Sequence, residues 1–585
     1  MPASPVENSN GPVGLIVKVN GAEFLSITQV MTVEVTKEIG AVPMARVSVI
    51  VNEIIANAAP DYNGDNVRLG DQISLAAYYG DGEEQTLFEG LVAALRLRTD
   101  SQRRLRLDLT CRDEAAKLLE LRRSALYEQM KDSDVMSRII RDAGLTADVE
   151  TSGGAVVTQL RHAASDWEFL RILADRNGFV LIADDGKISA RAPATDAEAP
   201  LGVTFGVDLI DLDVTIDAQR AISAAEIAAW NPQDQNAVSG RSGALPAMTL
   251  GDATSTAIAG VLGDRERLAS TPAEIGEADL GRLADARAAR SVLGAVHGRC
   301  RFQGSGRIAP GDMLQIDGAG AMFSNKAYVS GVHHRISGGS WITEAILGLP
   351  ADWAVDRSGP VTAEITAPHL GLQIGKVLTV ADDPDGKMRI KVSLPMIGNP
   401  PAEVWARYGQ PYATSGAGIQ FMPEVDDEVV IGFLGADPNA PIVLGSLHSG
   451  ANAQALAPGA ENKVKGIITR EKLRIDFDDD KKILTLTTPG GHSISMDDDA
   501  KELKLKDMNG NSVTFSSSGI AIDSDKDVTL TAGGKIDVTA TQDATVKGMN
   551  VTCQGNAGFT GKGGATAELS AGGQTTVKGA LVMIN

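Results

Sequence analysis

Pairs of apolar residues, one residue apart, recur at a nearly fixed interval through the C-terminal part of the chain. The pairs are Leu473/Ile475, Leu484/Leu486, Ile494/Met496, Leu503/Leu505 and Val513/Phe515, about ten residues apart, and then Ile520/Ile522, Val528/Leu530, Ile536/Val538 and Ala544/Val546, eight residues apart. After a shift at Lys547-Gly548 the period resumes through Val551, Phe559, Ala567 and Thr575. Apolar residues at i and i+2 lie on one face of a short strand. One such unit buries too little apolar surface to fold alone, so the repeat predicts a rod of strands stacked against copies of themselves.

Residues 1–360 combine strand and helix patterns. Period-2 alternation predicts strands at 15–21, 31–36, 46–50, 72–75, 104–109, 178–191, 201–229 and 296–348. Helical spacing covers 111–145, where Gly144 is placed to end the helix, and also 165–174 and 273–293. Ser165 and Glu168 have the spacing of a capping box. We interpret this region as a hub of two β-barrels with helical insertions.

The remaining residues divide into three parts. Residues 371–449 carry five short strands between Gly- and Pro-containing turns, which predicts a five-stranded OB-type barrel. A polar linker, 450–465, follows it, and the repeat occupies 466–585. These patterns therefore predict a mainly β fold class, with two barrels and helical insertions, an OB-fold domain, and a C-terminal rod of stacked strands.

The composition of the chain limits the classes of function that it can have. The formal net charge is -21, which argues against nucleic acid as a partner because phosphates require basic surfaces. The three cysteines have no CxxC spacing, which favours synthesis in a reducing cytosol. The N-terminus lacks the pattern of a signal peptide, and no run of about 18 apolar residues is present. We expect the protein to leave the cell by lysis or through a machine, as part of an assembled particle that is either extracellular or delivered into the envelope of a target cell.

Several longer motifs resemble one family. In the predicted barrel these are Ile374-Gly-Lys-Val, Asp382–Val392, Pro423–Phe433 and Asp437–Ser446. They resemble the OB module of VgrG and phage spike proteins. The runs Ser165-Asp-Trp-Glu-Phe-Leu and Tyr328-Val-Ser-Gly-Val-His-His resemble the hub of that family, and 573–585 resembles its spike terminus.

The resemblance implies that residues 1–360 form the hub of a contractile injection system and that 466–585 form its cell-puncturing spike, a needle in which three chains intertwine as a β-helix. The hub and spike would join an inner tube to a membrane-piercing tip. The system could be a phage tail, a type VI secretion system or an extracellular injection particle. The implied partners are two further copies of the chain, a hexameric inner tube protein, baseplate proteins and a PAAR-type tip protein, with transient contact to a target membrane. Three chains with two barrels each would present six similar barrels to a hexameric ring.

The candidate chemical sites have simpler interpretations. Asp382–Gly386 is similar in composition to the start of a calcium-binding loop. Because the Glu expected at the twelfth position of such a loop is missing, we favour a hairpin turn. The acidic runs 476–480 and 497–499 are solvated turns or, less simply, a cation site. His333 and His334 are neighbours on a strand and should point to opposite faces. No nucleophile and base are combined, and the linker is too short for a lysozyme domain, so we expect no enzyme activity, catalytic residue, metal or cofactor.

Two other functions fit parts of the pattern. A trimeric β-helical tailspike that binds or depolymerises glycans would also be acidic, but sugar sites use aromatic platforms and residues 466–585 contain no Trp or Tyr. An OB-fold nucleic-acid binder would need a basic stripe with interleaved aromatics, which 371–449 lacks.

The extreme C-terminus is the candidate binding site. Apolar alternation continues to the end of the chain, through Leu581, Val582, Met583, Ile584 and Asn585. Terminal repeats normally end in polar residues, so three such ends would form a blunt apolar platform that invites a tip protein.

Overall fold

The computed structural model describes residues 2–7, 10–24, 30–53, 67–99, 101, 104–246, 249–250, 253–357, 365–366 and 368–584. The chain divides into two compact units, Met1–Gln454 and Ala455–Asn585. Among the described residues, no helix has the length and apolarity needed to cross a membrane.

Strands dominate the first 350 residues, as the alternation predicted. They are β1 (Val13–Val19), β2 (Ala22–Glu23), β3 (Val30–Glu38), β4 (Met44–Glu53), β5 (Gln72–Tyr79), β6 (Gln85–Thr99), β7 (Arg104–Arg112), β8 (Arg122–Met130), β9 (Thr146–Val149), β10 (Val157–Ser165), β11 (Val180–Asp184), β12 (Lys187–Arg191), β13 (Leu201–Thr204), β14 (Leu209–Ile216), β15 (Ala224–Asn231), β16 (Asn236–Arg241), β17 (Thr249–Leu250), β18 (Ala253–Thr254), β19 (Glu266–Thr271), β20 (Val296–Gln303), β21 (Met313–Asp317), β22 (Asn325–Ser337) and β23 (Ser340–Leu347).

Thirteen of the described strands form one sheet in the order β14-β20-β23-β22-β3-β4-β7-β6-β5-β1-β2, with β21 beside β22 and β13 beside β21. The two halves of this sheet are joined at β22, because its residues 331–337 pair with β23 along one edge and with β3 along the other. Two separate cores lie on it. Val35, Val47 and Leu109 belong to one, and Cys300 and Val329 belong to the other.

Four helices are described in the hub: α1 (Asp132–Asp142), α2 (Asp166–Arg176), α3 (Ser255–Gly260) and α4 (Glu277–Ala295). The capping box of α2 is confirmed: Ser165 Oγ accepts from the Glu168 N–H, and the Glu168 carboxylate accepts from the Ser165 N–H. Gly144 follows α1 with φ +76°, as a C-terminal glycine should.

The helical prediction for 111–145 was partly wrong. Only a short 3-10 turn at Glu114–Leu118 and α1 are helical there, whereas Arg122–Met130 is strand β8. β8 pairs with β10, from Val157↔Met130 to Ser165↔Arg122. A partner strand some thirty residues away in sequence therefore overrides the local spacing.

The OB barrel is confirmed with all five predicted strands. They are β24 (Gln373–Thr379), β25 (Ile390–Leu394), β26 (Ala402–Tyr408), β29 (Glu428–Phe433) and β30 (Pro441–Ser446), and a short hairpin, β27 (Ala413–Thr414) with β28 (Ala417–Gly418), lies between them. The barrel closes in the order β24-β25-β26-β30-β29. Val377, Ile390 and Val392 fill its interior and are fully buried.

The second unit begins with a meander of seven five-residue strands: β31 (Val464–Ile468), β32 (Arg474–Asp478), β33 (Ile483–Thr487), β34 (Ser493–Asp497), β35 (Glu502–Lys506), β36 (Ser512–Ser516) and β37 (Gly519–Asp523). Each strand pairs antiparallel with the next, so the sheet follows chain order. Residues 524–584 contain no strand. We call residues 464–584 the strip.

Candidate functional site: the strip and its tip

The apolar pairs of the meander lie in register on one face of the sheet. Every strand from β32 to β37 has an apolar pair at its second and fourth positions. The pairs face one another across strands: Leu486↔Ile494, Leu484↔Met496, Met496↔Leu503, Leu503↔Phe515 and Phe515↔Ile520. In β32 the pair is Ile475/Phe477 rather than the predicted Leu473/Ile475, since Leu473 precedes the strand.

This apolar face stays partly open in a single copy. Met496 is 44% exposed, Phe515 40% and Ile520 69%. A single-layer sheet with one apolar face has no second layer of its own to bury that face. Within one copy, the apolar face of the meander is therefore left uncovered.

Polar residues and turns occupy the other positions of the meander. Lys463 lies 2.9 Å from Asp480, Lys482 lies 3.0 Å from Asp499, and Lys465 pairs with Asp479. Among the described residues, no group of three or more His, Cys, Asp or Glu side chains is placed to hold a metal ion. Three of the carboxylates in the acidic turns, those of Asp479, Asp480 and Asp499, thus have lysine partners.

The eight-residue period persists beyond β37, although the chain forms no strand there. Bends occur at 525–526, 533–534, 541–542, 549–550, 556–557, 564–565, 572–573 and 580–581. The single seven-residue step follows the shift that the sequence shows at Lys547-Gly548. The apolar residues between bends are open to solvent, with Leu530 74% and Val538 81% exposed. This segment therefore keeps a regular period without pairing as a strand within its own copy.

The candidate tip residues follow the last bend. Leu581 is 78% exposed, Val582 47%, Met583 75% and Ile584 93%, whereas Asn585 lies outside the described residues. The terminal side chains are thus apolar and accessible. Their role in binding a tip protein remains a prediction.

The other chemical candidates serve the fold. Asp383 accepts hydrogen bonds from the Lys387 and Arg389 N–H groups and from the Arg389 guanidinium, which holds its pKa well below the usual range. These bonds close the turn between β24 and β25. His333 lies 2.6 Å from Glu38, which raises the pKa of His333. Burial lowers the pKa of His334 to about 3, and its ring contacts Thr343 on the other face of β22.

Comparison with known proteins identifies the hub and the barrel. Residues 9–338, which are 330 of the 585 residues, match the family described as the Alg8 N-terminal domain. The chain belongs to this family. Residues 373–448 match the type VI secretion system/phage-baseplate injector OB domain. The barrel is therefore similar to the OB domain of type VI secretion and phage-baseplate injectors.

Two solved structures of one complex share the fold of this chain. The half-lidded PdpA–VgrG complex of Francisella is 8% identical, with a TM-score of 0.53, and the match covers 88% of each chain. The lidded form is 10% identical with a TM-score of 0.51, covering 88% of this chain and 80% of that one. A type VI secretion component of E. coli is 15% identical with a TM-score of 0.47, covering 74% of this chain and 99% of that one.

Sequence reasoning missed the joint between hub and barrel within the first unit. Leu160 of β10 belongs to the barrel core, and its N–H donates to Asn439 Oδ1 at 2.9 Å. Asp437 is fully buried and accepts from the Thr271 hydroxyl at 2.9 Å. A cleft of about 780 Å³ lies beside these contacts and is lined by both parts. No local pattern marks these residues, because each finds its partner more than 160 positions away.

Proposed function

We propose that three copies of this VgrG-like chain assemble into the hub and puncturing spike of a contractile injection system. The observation that carries the proposal is the strip, with one apolar face on β32–β37 followed by about sixty residues that form no strand within one copy. Isolated apolar faces and strand edges bind other chains unless they are covered. Winding three copies around one axis would bury the apolar pairs and pair the edges.

The hub would connect this spike to the inner tube. One copy carries two cores on a single sheet, so three copies would offer six similar lobes to a hexameric tube ring. Baseplate proteins would surround the hub. The family resemblance supports this arrangement, and binding of purified tube protein to the full-length chain would test it.

At the other end, the exposed terminal residues would hold a PAAR-type tip protein. Deletion of 580–585 removes Leu581, Val582, Met583 and Ile584 but leaves the rest of the strip unchanged. We expect the truncated chain to remain trimeric and to lose the tip protein in co-purification. A truncated spike that still retained the tip protein would contradict this role.

The spike would act mechanically rather than as an enzyme, entering the target membrane as part of an assembled particle after synthesis in the cytosol. Residues 447–463, which are 17 residues, separate the barrel from β31, a length far below that of a glycosidase domain. We expect purified protein to release no product from peptidoglycan or capsular glycans above background. Turnover abolished by a point substitution would instead favour a tailspike depolymerase.

The mass of the full-length protein in solution is the first test of the assembly. One chain has a mass of 61.1 kDa, so native mass spectrometry should find three chains together. Removal of 464–585 should leave the hub and barrel folded, with fewer chains per particle than the full-length protein. A full-length protein that stayed monomeric at micromolar concentration would overturn the proposal.

A further inference from the structure

The outer surface of the OB barrel has an apolar side. Ile374 on β24, Val430 on β29, and Ile442 and Leu444 on β30 point outward from three adjacent strands, with Leu372 just before β24. We call these five residues the outer patch. Leu372 is 63% exposed, Ile374 41% and Leu444 53%.

The patch is continuous because a glycine lies beneath it. A Cβ atom at Gly432 would be 3.4 Å from Leu444 Cδ1, 3.5 Å from Leu372 Cδ2 and 3.6 Å from Ile442 Cγ2. Two side chains of β30 and one from the segment before β24 therefore converge over one backbone position. Contiguous apolar surface of this kind marks an interaction site more often than scattered single residues do.

The opposite side of the barrel has the reverse character. Lys391 on β25, together with Glu403, Trp405 and Arg407 on β26, lines the cleft that the chain's own hub shares. Lys387 also reaches Glu274 of the hub at 2.8 Å. The chain thus covers the more polar side of its barrel and leaves the more apolar side open, which favours a second chain as the occupant.

Polar groups border the outer patch. Lys376, the next outward residue on β24, pairs with Asp426 at 2.8 Å, and Ser446 ends β30. An apolar centre with a polar border is the usual layout of a protein–protein interface.

Chain connectivity identifies the occupant. Only residues 447–463 separate β30 from the first strand of the strip. If three strips are wound together, a linker of this length confines three barrels to a small volume, at an effective concentration on the order of millimolar. A barrel of a second copy would therefore meet the outer patch far more often than any free protein.

A threefold ring also needs a second, different surface on each copy, because its contacts are head-to-tail. The barrel carries one beside hairpin β27–β28, where Tyr412 is 55% exposed, Ile419 43% and Phe421 54%. We propose that the outer patch of each OB barrel docks on the hairpin surface of the next copy, so that the three barrels form a closed ring. This inference rests on the proposed trimer.

Cysteine labelling of the full-length protein tests the ring. Cys553 is the one exposed native cysteine and would be replaced by serine, whereas burial raises the pKa of the Cys111 and Cys300 thiols to about 12 and leaves them unreactive. Single cysteines would then be introduced as Leu444→Cys in the patch, Phe421→Cys at the hairpin, and Ala381→Cys in the exposed turn after β24 as the matched control. The number of chains in each variant is first determined by native mass spectrometry.

In a trimer, maleimide should modify Leu444→Cys and Phe421→Cys at least about tenfold more slowly than Ala381→Cys. All three should react alike after denaturation. A trimer in which Leu444→Cys reacts as fast as Ala381→Cys would overturn the ring while leaving the proposed trimer intact. Protection that appears only when another protein is added would also overturn it, in favour of that partner. A monomeric mass would reject the ring and the proposed function together.

Discussion

The OB barrel and the meander of the strip consist of short strands with the same alternation, yet only the barrel covers its own apolar rows. Val377, Ile390 and Val392 have no exposed surface, whereas Met496 and Phe515 remain 44% and 40% exposed. The barrel closes because β24 pairs with β29. The meander instead pairs each strand with the next and ends at β31 and β37.

Alternation therefore predicts strands but does not say which chain supplies the partner. The loops that connect the strands decide whether the partner comes from the same chain or from another. In the barrel, loops of unequal length let β26 pair in parallel with β30 and let the sheet curl. In the strip, uniform short turns keep the strands in one layer, and a single layer cannot bury an apolar face without a second chain.

The largest expected effect comes from placing a charge on the apolar face of the strip. Leu503 faces Met496 and Phe515 across the sheet, so Leu503→Asp would bury three carboxylates in a trimer. An unpaired buried charge costs about 3–5 kcal/mol per site, and we expect the trimer to be lost in native mass spectrometry. Lys504→Asp, on the opposite face, is the control and should remain trimeric. A Leu503→Asp protein with unchanged mass and melting temperature would show that this face is not the contact.

A smaller and different effect is expected in the barrel. Ile390→Ala opens a cavity in a core that one chain builds, which costs about 2–5 kcal/mol. Because that core is intramolecular, the loss should be the same at all protein concentrations. Leu505→Ala in the strip should instead give a loss of melting temperature that depends on concentration. Denaturation of both variants over a hundredfold range of concentration separates them, with Lys391→Ala as the surface control for the barrel. Equal concentration dependence of the two would remove the distinction between barrel and strip.

The third prediction concerns the loss of stability of the hub as the pH falls. His334 has a pKa of about 3 in the folded protein and about 6.5 unfolded, so the unfolded chain takes up the proton first as the pH falls. The neutral His334 side chain makes its full contribution to the free energy of unfolding above pH 6.5. Below that pH the free energy of unfolding falls by about 1.4 kcal/mol per pH unit, so that about 2 kcal/mol is lost at pH 5. His334→Asn should flatten this part of the stability profile in denaturant titrations at pH 7 and pH 5.

His333 provides the matched control, because Glu38 raises its pKa and its contribution is lost as the pH rises instead. His333→Asn should therefore leave the decline between pH 6.5 and pH 5 in place. If His334→Asn left that decline unchanged, the protonation of this buried side chain would not be its cause.

Much of the architecture could be predicted from local pattern. The five barrel strands, the capping box at Ser165 and the eight-residue period of the strip, including its one irregular step, are all recorded within about ten neighbouring residues. The strand β8 and the long strand β6 were missed, since their pairing with distant strands decides their conformation. The joint of Leu160 with Asn439 and the outer patch over Gly432 were missed for the same reason. They exist only once distant segments have come together.

The central claim is that residues 524–584 form strands between copies, and amide hydrogen exchange of the full-length protein tests it most directly. Within one copy these residues have no strand partner, so their amides would exchange almost as fast as those of an unfolded chain. Inter-copy pairing predicts slow exchange throughout 524–584, comparable with that of the closed barrel β24–β30. Rapid exchange across this segment in a protein of trimeric mass would contradict the account.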